Sequence, residues 1–247
     1  LISVLVAAFN AQHTVVPAIE SLLAQDHGRV EVLICDDGST DDTVTLLRSR
    51  YANEPAVRLY SSSVNQGPYN IRNALLAEAT GQIIAYHDAD DLALPTRLGS
   101  QLAALRATSA DACFTSWVRA RPSGIIQVFR DQGVKRLSLI SLMAHRRVID
   151  SLGGFRSARF AADREFHQRL VDAPSIRIAR VRAPQLLGLW SPQSLTQARG
   201  SESLANGFRS LPRRAYAAAV FQQRVLGRER VSDADIDAVL REHAAYI

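Results

Sequence analysis

Glu31-Val32-Leu33-Ile34-Cys35-Asp36-Asp37-Gly38-Ser39-Thr40-Asp41 passes without a break from an apolar run into a turn of carboxylates, a glycine and hydroxyls. Apolar side chains at consecutive positions belong to a strand covered on both faces, the environment of a parallel sheet. The same succession recurs on either side. Ile2–Ala8 is an apolar run ending on Phe9-Asn10, Val57–Tyr60 is a short strand followed by Asn65-Gln66-Gly67, and Gln82–Tyr86 leads to Asp88-Ala89-Asp90-Asp91. Helical spacing fills the intervals. Val15–Ala24 carries it through Ile19, Leu22 and Leu23, and Ile71–Ala79 is a second helix. Another helix is expected over Thr40–Leu47, with Ser39 or Thr40 as N-cap and Asp41 and Asp42 in its first turn. A fourth is expected to open at Pro95 and run to Ala107. This alternation predicts an α/β chain with a mixed, mostly parallel sheet flanked by helices.

After about residue 110 the rhythm changes. Ala112–Val118 and Ile125–Phe129 read as a hairpin joined through Pro122–Gly124. Val148–Leu152 reads as a short helix stopped by Gly153-Gly154, and Ala162–Leu170 as another. Strands are expected at Ile176–Val181 and Gln185–Trp190, and helices broken at Pro212 from about Ser201 onward. Residues 1–200 are thus one mixed domain, and 201–247 a helical C-terminal extension.

The chain has 247 residues, 47% hydrophobic and 21% charged, enough for a sizeable core and against wholesale disorder. Its net charge of +5 is concentrated between Arg199 and Arg230, which hold seven arginines and two glutamates. The remainder is neutral on balance, so no nucleic-acid partner is expected. No apolar run approaches the ~18–20 residues that span a bilayer. The sequence starts at Leu1 on a strand-like run without a basic leader, so no signal peptide is read there. Cys35 and Cys113 each sit in an apolar run without metal-ligand spacing, and are expected as buried, reduced thiols suited to the cytosol.

Ligands of open parallel sheets bind outside the carboxyl ends of the strands. Four consecutive strands here deliver polar turns to that one rim. Asp88, Asp90 and Asp91 form the sharpest group, because three carboxylates within four residues resist desolvation unless a cation is present. Oxygen donors suit Mg²⁺ or Mn²⁺. In an extended segment Asp88 and Asp90 share a side and Asp91 points away. Asp88 and Asp90 are therefore the expected metal and substrate carboxylates, and Asp91 a cap for the next turn. Asp37 could accept a hydrogen bond from a base N–H or a ribose hydroxyl. Phe9 could lie against a base or pack in the core, and Arg72 could face a diphosphate or form a surface ion pair. His87, His145 and His167 are scattered and are not assigned to a metal.

Taken in order, these residues resemble family 2 glycosyltransferases of GT-A fold over roughly residues 1–200. The matching pieces are Ile2–Asn10, Glu31–Asp41, Asn65-Gln66-Gly67 with Arg72-Asn73, Thr80-Gly81 and Asp88-Ala89-Asp90-Asp91. The resemblance implies a Rossmann-like GT-A domain with a nucleotide-sugar-binding half over 1–110 and an acceptor half over 111–200. It implies a nucleotide-diphospho-sugar donor, expected to be a UDP-sugar, with a divalent Mn²⁺ or Mg²⁺. Asp37 would contact the base and Phe9 stack on it. Ala8, Gly67, Arg72 and Ala89 would join the donor site, and Asp88 and Asp90 would be the "DXD" carboxylates serving ribose and metal–diphosphate. The opening strand departs from the common pattern, with Ala7 or Ala8 in place of Pro and Phe9 in place of Tyr.

The segment Gly153-Gly154-Phe155 followed by Ala161-Ala162-Asp163-Arg164-Glu165-Phe166 resembles the family's catalytic-carboxylate region, where Glu-Asp is common. Here only Asp163 carries over as the base, with Glu165 as fallback. A single base opposite the leaving diphosphate implies inversion at the anomeric carbon. His145–Phe155 and Trp190–Thr196 resemble transferases of bacterial capsule or surface-polysaccharide assembly. The implied enzyme transfers a sugar to a glycan or polysaccharide hydroxyl in the cytoplasm, at the inner face of the bacterial membrane. The basic stretch Arg199–Arg230 would be a solvated helical face, or would meet an anionic acceptor, a membrane surface or a neighbouring domain. Two rivals remain. A sugar-nucleotide nucleotidyltransferase should carry a Gly-rich basic loop after its first strand, and Ala7–His13 has no glycine, lysine or arginine. A non-catalytic sugar-nucleotide-binding module would show no donor hydrolysis.

Overall fold

The computed structural model describes residues 1–121, 123–128, 133–158 and 161–189. The extension over 201–247, the basic stretch Arg199–Arg230 and the Trp190–Thr196 segment lie outside the described residues. Cores on both faces of one eight-stranded sheet account for the alternating sequence. Strands β1 (Ile2–Ala8), β2 (Val30–Asp37), β3 (Val57–Ser62) and β4 (Ile83–Asp88) are all parallel, in the order β3-β2-β1-β4. Beyond β4 the sheet continues through β7 (Lys135–His145), β6 (Ala112–Ala120), β8 (Ile178–Leu189) and β5 (Asp91–Ala93). β7 runs antiparallel to both β4 and β6, β8 runs parallel to β6, and the short β5 is antiparallel to β8.

The connecting helices are α1 (Val15–Leu23), α2 (Thr43–Tyr51), α3 (Pro68–Glu78) and α4 (Arg97–Thr108), followed by α5 (Arg146–Leu152) and α6 (Ala162–Asp172). Alternate strand residues feed opposite faces. Val4, Val6, Val32 and Ile34 pack with Ile19, Leu22, Leu47 and Leu98 of α1, α2 and α4. Leu5, Leu33, Tyr86 and Phe114 pack with Ile71, Leu75, Val148 and Phe166 of α3, α5 and α6. Both cysteines are free and buried, and burial pushes each thiol up to about 11, with Asp37 and then Asp36 adding to the effect at Cys35.

Several expectations are corrected. The second helix starts at Thr43 rather than Thr40, because Asp41 is used outside it. Its Oδ1 accepts the Thr43 N–H at 3.0 Å and the Thr43 hydroxyl at 2.5 Å, and its Oδ2 accepts the Gln12 N–H at 3.2 Å. Pro95 precedes α4, whose first residue is Arg97. The main antiparallel partner of β6 is Lys135–His145, a strand the sequence reading did not separate, and not Ile125–Phe129. Within that expected strand, Ile126 makes one isolated bridge to Ala120, and Ile125 and Val128 are 61% and 69% exposed. The two strands expected at Ile176–Val181 and Gln185–Trp190 are, over the described residues, one long strand, β8 (Ile178–Leu189), whose register with β6 shifts beside Pro184. A shift in the ladder is where a strand tolerates a residue without an N–H donor. Among the described residues no helix is long and apolar enough to cross a membrane.

Candidate active site

In the order β3-β2-β1-β4, helices leave β1 and β4 toward opposite directions along the sheet, opening a crevice at the carboxyl ends of these two neighbours. Ala7 of β1 stands directly across from Asp88 of β4, so Ala8 and Phe9 end beside the acidic turn. Ala8 and Ala89 are buried at this rim, whereas Phe9 is 46% exposed. Its ring is thus free to cover a flat group, and core packing is excluded. Asn10, at φ 48°, accepts the Thr40 N–H through Oδ1 at 2.9 Å and donates its own N–H to Ser39 Oγ at 2.9 Å. Those two polar turns therefore brace each other.

Asp36 and Asp37 fall on opposite faces of β2. Asp37 is buried, and its Oδ1 and Oδ2 accept the N–H groups of Gln66 at 2.7 Å and Gly67 at 2.8 Å. It therefore fixes the turn leading into α3. Gly67 caps α3 at φ 87° and ψ 153°, an essentially glycine-only conformation that costs an L-residue about 1–3 kcal/mol. Asp36 accepts the Ser39 N–H at 3.1 Å through Oδ2, but its Oδ1 is buried with no hydrogen-bond partner among the described residues.

Asp88 ends β4, Ala89 and Asp90 form a turn and Asp91 opens β5, so the segment is not extended throughout as the alternation assumed. Asp91 does not cap a turn; it is buried, with no hydrogen-bond partner for Oδ2 among the described residues. Burial, then Asp90 and Asp88, hold its carboxyl well above the ordinary range. Burial and Asp88 likewise push Asp90 up to about 6. The counter-charges are three buried arginines, Arg119 foremost at both Asp90 and Asp91, then Arg72 at Asp90 and Arg97 at Asp91. Arg72, 3% exposed, donates Nη2–H to Asp88 Oδ1, so its ion pair is interior on the arginine side. Arg97 is fully buried and donates to His87 Nδ1 at 2.8 Å, the Tyr86 carbonyl at 2.6 Å and Gln101 Oε1 at 3.2 Å. Burial and Arg97 keep His87 well below its usual range, which fits a neutral ring donating Nε2–H to the Asp91 carbonyl at 3.0 Å. His87 and Arg97 had no motif to mark them, and only the core contact reveals them.

Asp163 enters the same region from the other half of the chain. It lies in the first turn of α6, where a carboxylate is favoured by the helix dipole, behind Ala161 at φ 62°. The Tyr69 hydroxyl donates to Asp163 Oδ1 at 2.9 Å. Tyr69 and Arg72 lie one turn apart on α3, with the Arg72 guanidinium carbon 5.7 Å from the Tyr69 ring centroid. A connected path Asp88–Arg72–Tyr69–Asp163 therefore joins the acidic turn to the candidate base. Glu165 is differently employed. It is buried, paired with Arg156 at 3.1 Å and Arg169 at 2.8 Å, and Arg169 also donates to the carbonyls of Leu152 and Gly154. That network fastens α6 to the α5 terminus.

A divalent cation fits the donor set in part. Asp88 and Asp90 are close enough for one to raise the other's carboxyl, a repulsion that a hard cation would relieve. Among the described residues no three Asp, Glu, His or Cys side chains converge on one point. An ion here would take two carboxylates at most and draw its other oxygens from water and substrate phosphates.

A doubly covered sheet with an acidic crevice at the β1/β4 reversal places the protein in the class of open α/β folds that bind ligands at the carboxyl ends of their strands. The sequence profile of glycosyl transferase family 2 matches residues 3–170, and the chain belongs to that family. It is 32% identical over 102 residues to WfaP of Escherichia coli, named as a UDP-Glc:alpha-D-GlcNAc-diphosphoundecaprenol beta-1,3-glucosyltransferase; the match covers 41% of this chain and 40% of WfaP. It is 43% identical over 97 residues to the succinoglycan biosynthesis protein ExoO of Rhizobium meliloti, covering 39% of this chain and 27% of ExoO. Bacterial polysaccharide-synthesis transferases are thus among its relatives, and the matches span well under half of their lengths. The fold matches that of S. aureus TarS 1–349 in complex with UDP, at TM-score 0.67 and 19% identity over 98% of this chain and 70% of TarS. It also matches the mannosyltransferase PcManGT of Pyrobaculum calidifontis in complex with GDP-Man and Mn²⁺, at TM-score 0.63 and 19% identity over 98% and 68% of the two chains.

Proposed function

We propose that this protein is a metal-dependent, inverting glycosyltransferase that moves a sugar from a UDP-sugar to a hydroxyl of a glycan acceptor in surface-polysaccharide synthesis. The observation that carries the reading is the path from Asp88 through Arg72 and Tyr69 to Asp163, which sets an acidic donor turn and a hydrogen-bonded carboxylate at two ends of one site. Relatives support the donor and acceptor class, since WfaP is named for UDP-Glc and a lipid-diphosphate-linked GlcNAc, and TarS was solved with UDP.

In this reading the exposed Phe9 ring stacks on the base, while Asp37 holds the β2 turn against Gly67 and contacts the base. The unpartnered Asp36 Oδ1 is a second acceptor at the same rim. Asp88 and Asp90 would hold Mn²⁺ or Mg²⁺, which would offset charge developing on the leaving diphosphate. PcManGT, which shares the fold, was solved with Mn²⁺. Arg72 adds a fixed guanidinium beside Asp88. On the acceptor side Asp163 takes the proton of the attacking hydroxyl, and Tyr69 orients that carboxylate without removing its second oxygen from use. The acceptor oxygen then bonds to the anomeric carbon as the bond to the diphosphate breaks, which inverts that carbon. The buried, reduced thiols suit the cytoplasmic side of a membrane.

A donor screen following nucleoside diphosphate release, with Mn²⁺ or Mg²⁺ and then with chelator, tests the reading. Turnover is expected with metal, and should be lost with chelator and in Asp90→Ala. Release of pyrophosphate instead would identify a nucleotidyltransferase, and no release from any donor a binding module.

A further inference from the structure

A second concavity lies outside the donor crevice. It is an open groove of about 520 Å³ whose lining includes Ser116 of β6, Lys135 and Leu137 of β7, and Arg180 and Arg182 of β8. Arg180 and Arg182 are two apart on one strand and so project to the same side, as Lys135 and Leu137 do on theirs. Three cations therefore line one groove, and among the described residues no carboxylate lines it. Among the described residues no ion pair engages Lys135, Arg180 or Arg182, whereas Arg147, Arg156 and Arg169 all find acidic partners.

The groove borders the helix that carries the candidate base. Arg180 is opposite Phe114 in the sheet, and the Phe114 ring meets His167 of α6 edge-on at 5.1 Å between centroids. His167 is one helical turn beyond Asp163. Burial lowers its basicity, Arg180 lowers it further, and Asp163 opposes both; Arg164, from the same helix, is the other cation acting on the ring. His167 thus stands between the base and the edge of the groove. Lys135 opens β7, which runs antiparallel to β4, so it lies toward the same rim as Asp88.

Resting on the glycosyltransferase reading above, we infer that this groove binds an anionic group of the acceptor, a phosphoryl or carboxylate carried close to the hydroxyl that is glycosylated. Uncompensated cations around a concave, partly apolar floor attract such a group, and the arginine forks match either oxyanion geometry. The donor diphosphate is accounted for at the other end of the site by Arg72 and the acidic turn. Placing a second anion beyond Asp163 keeps the two negative groups of the reactants apart, with the attacking hydroxyl between them.

The test compares three soluble acceptor probes that share an alkyl tail: a neutral N-acetylglucosaminide, an N-acetylglucosaminyl diphosphate and a glucuronide. Each is assayed with wild type and with Lys135→Ala/Arg180→Ala/Arg182→Ala. These three residues are solvent-facing, and a thermal melt confirms that the variant is folded. The ratio of KM for an anionic probe to KM for the neutral probe should rise about tenfold or more, equivalent to one lost charged contact. The charge-conserving variant Lys135→Arg/Arg180→Lys/Arg182→Lys should restore most of it. A response with the diphosphate probe alone identifies a phosphoryl acceptor, and with the glucuronide alone a uronate. Equal KM ratios in variant and wild type overturn the inference. If no probe is glycosylated, calorimetric binding of the two anionic probes decides instead, and binding that ignores the triple substitution overturns it equally. Nucleoside diphosphate release from donor alone is followed in parallel, so failure of the transferase reading is seen separately.

Discussion

The Tyr69 hydroxyl and Asp163 Oδ1 are 2.9 Å apart although 94 residues separate them in the chain. Tyr69 is held on its other side by the Phe155 ring, 5.3 Å between centroids, and its face meets Arg72. The phenol is therefore a fixed donor aimed at the candidate base, and it shares a helix face with the arginine that pairs with Asp88. A displacement of α3 would disturb both ends of the site together.

Tyr69→Phe keeps the ring packing and removes only the donor. We expect kcat to fall about tenfold, roughly 1.4 kcal/mol of transition-state stabilisation, with donor KM little changed. Stability should drop by about 1 kcal/mol. Steady-state kinetics with one donor and a saturating acceptor separate these outcomes; an unchanged kcat would show that Asp163 needs no orienting partner.

Arg72→Met leaves Asp88 beside Asp90 without its guanidinium. Donor affinity in the presence of Mn²⁺ should weaken by about tenfold or more, and Arg72→Lys should recover only part, since an ammonium lacks the planar fork. Calorimetric titration with UDP checks this. Full affinity in Arg72→Met would remove the arginine from the donor site.

Asp163→Asn and Glu165→Gln should separate chemistry from architecture. Asp163→Asn is expected to bind donor and melt near wild type yet transfer almost nothing. Glu165→Gln breaks a buried carboxylate away from Arg156 and Arg169, and should cost about 3–5 kcal/mol while the residual folded protein stays active. The reverse pattern would make Glu165 the base.

Acid sensitivity should have a source at Asp111, at the rim opposite the donor crevice. Burial acts to raise its carboxyl, but the Arg177 N–H at 2.9 Å and the Arg147 guanidinium at 2.5 Å outweigh it, and the group lies below the ordinary carboxylate range. A folded-state pKa below the unfolded value of about 3.9 means that the stabilisation is complete above that value and lost as pH falls through the folded one. Urea midpoints of wild type and Asp111→Asn should therefore differ by a constant amount from pH 6 to 8 and converge below about pH 4. A gap that persists at low pH would assign the difference to packing.

The four parallel strands and the rim they share were legible because each strand is buried on both faces, and double burial writes itself as an unbroken apolar run such as Val32–Cys35. Asp88 and Asp90 were legible as part of an acidic turn, and as candidates only, for an equally local reason, the repulsion of carboxylates crowded into one turn. β7 was not, since Lys135–His145 mixes serines into its buried positions, and Gly133, the turn residue just before it at φ 67°, follows closely on a run already read as the second strand of a hairpin. The roles of Asp36 and Asp37 also needed the fold. Period-two alternation puts them on opposite faces, but only packing against α3 shows that Asp37 is the one tied to Gly67. Tyr69, His87 and Arg97 lie in no motif, and their partners come from elements brought together by the sheet. Periodicity and local charge are properties of neighbours along the chain, so the sequence alone determined the layered fold and the acidic rim. Contacts between residues distant in sequence exist only after the cores have closed, and so the tertiary structure decided which carboxylate is braced as a candidate base, which is spent on an ion-pair network, and where unpaired cations gather.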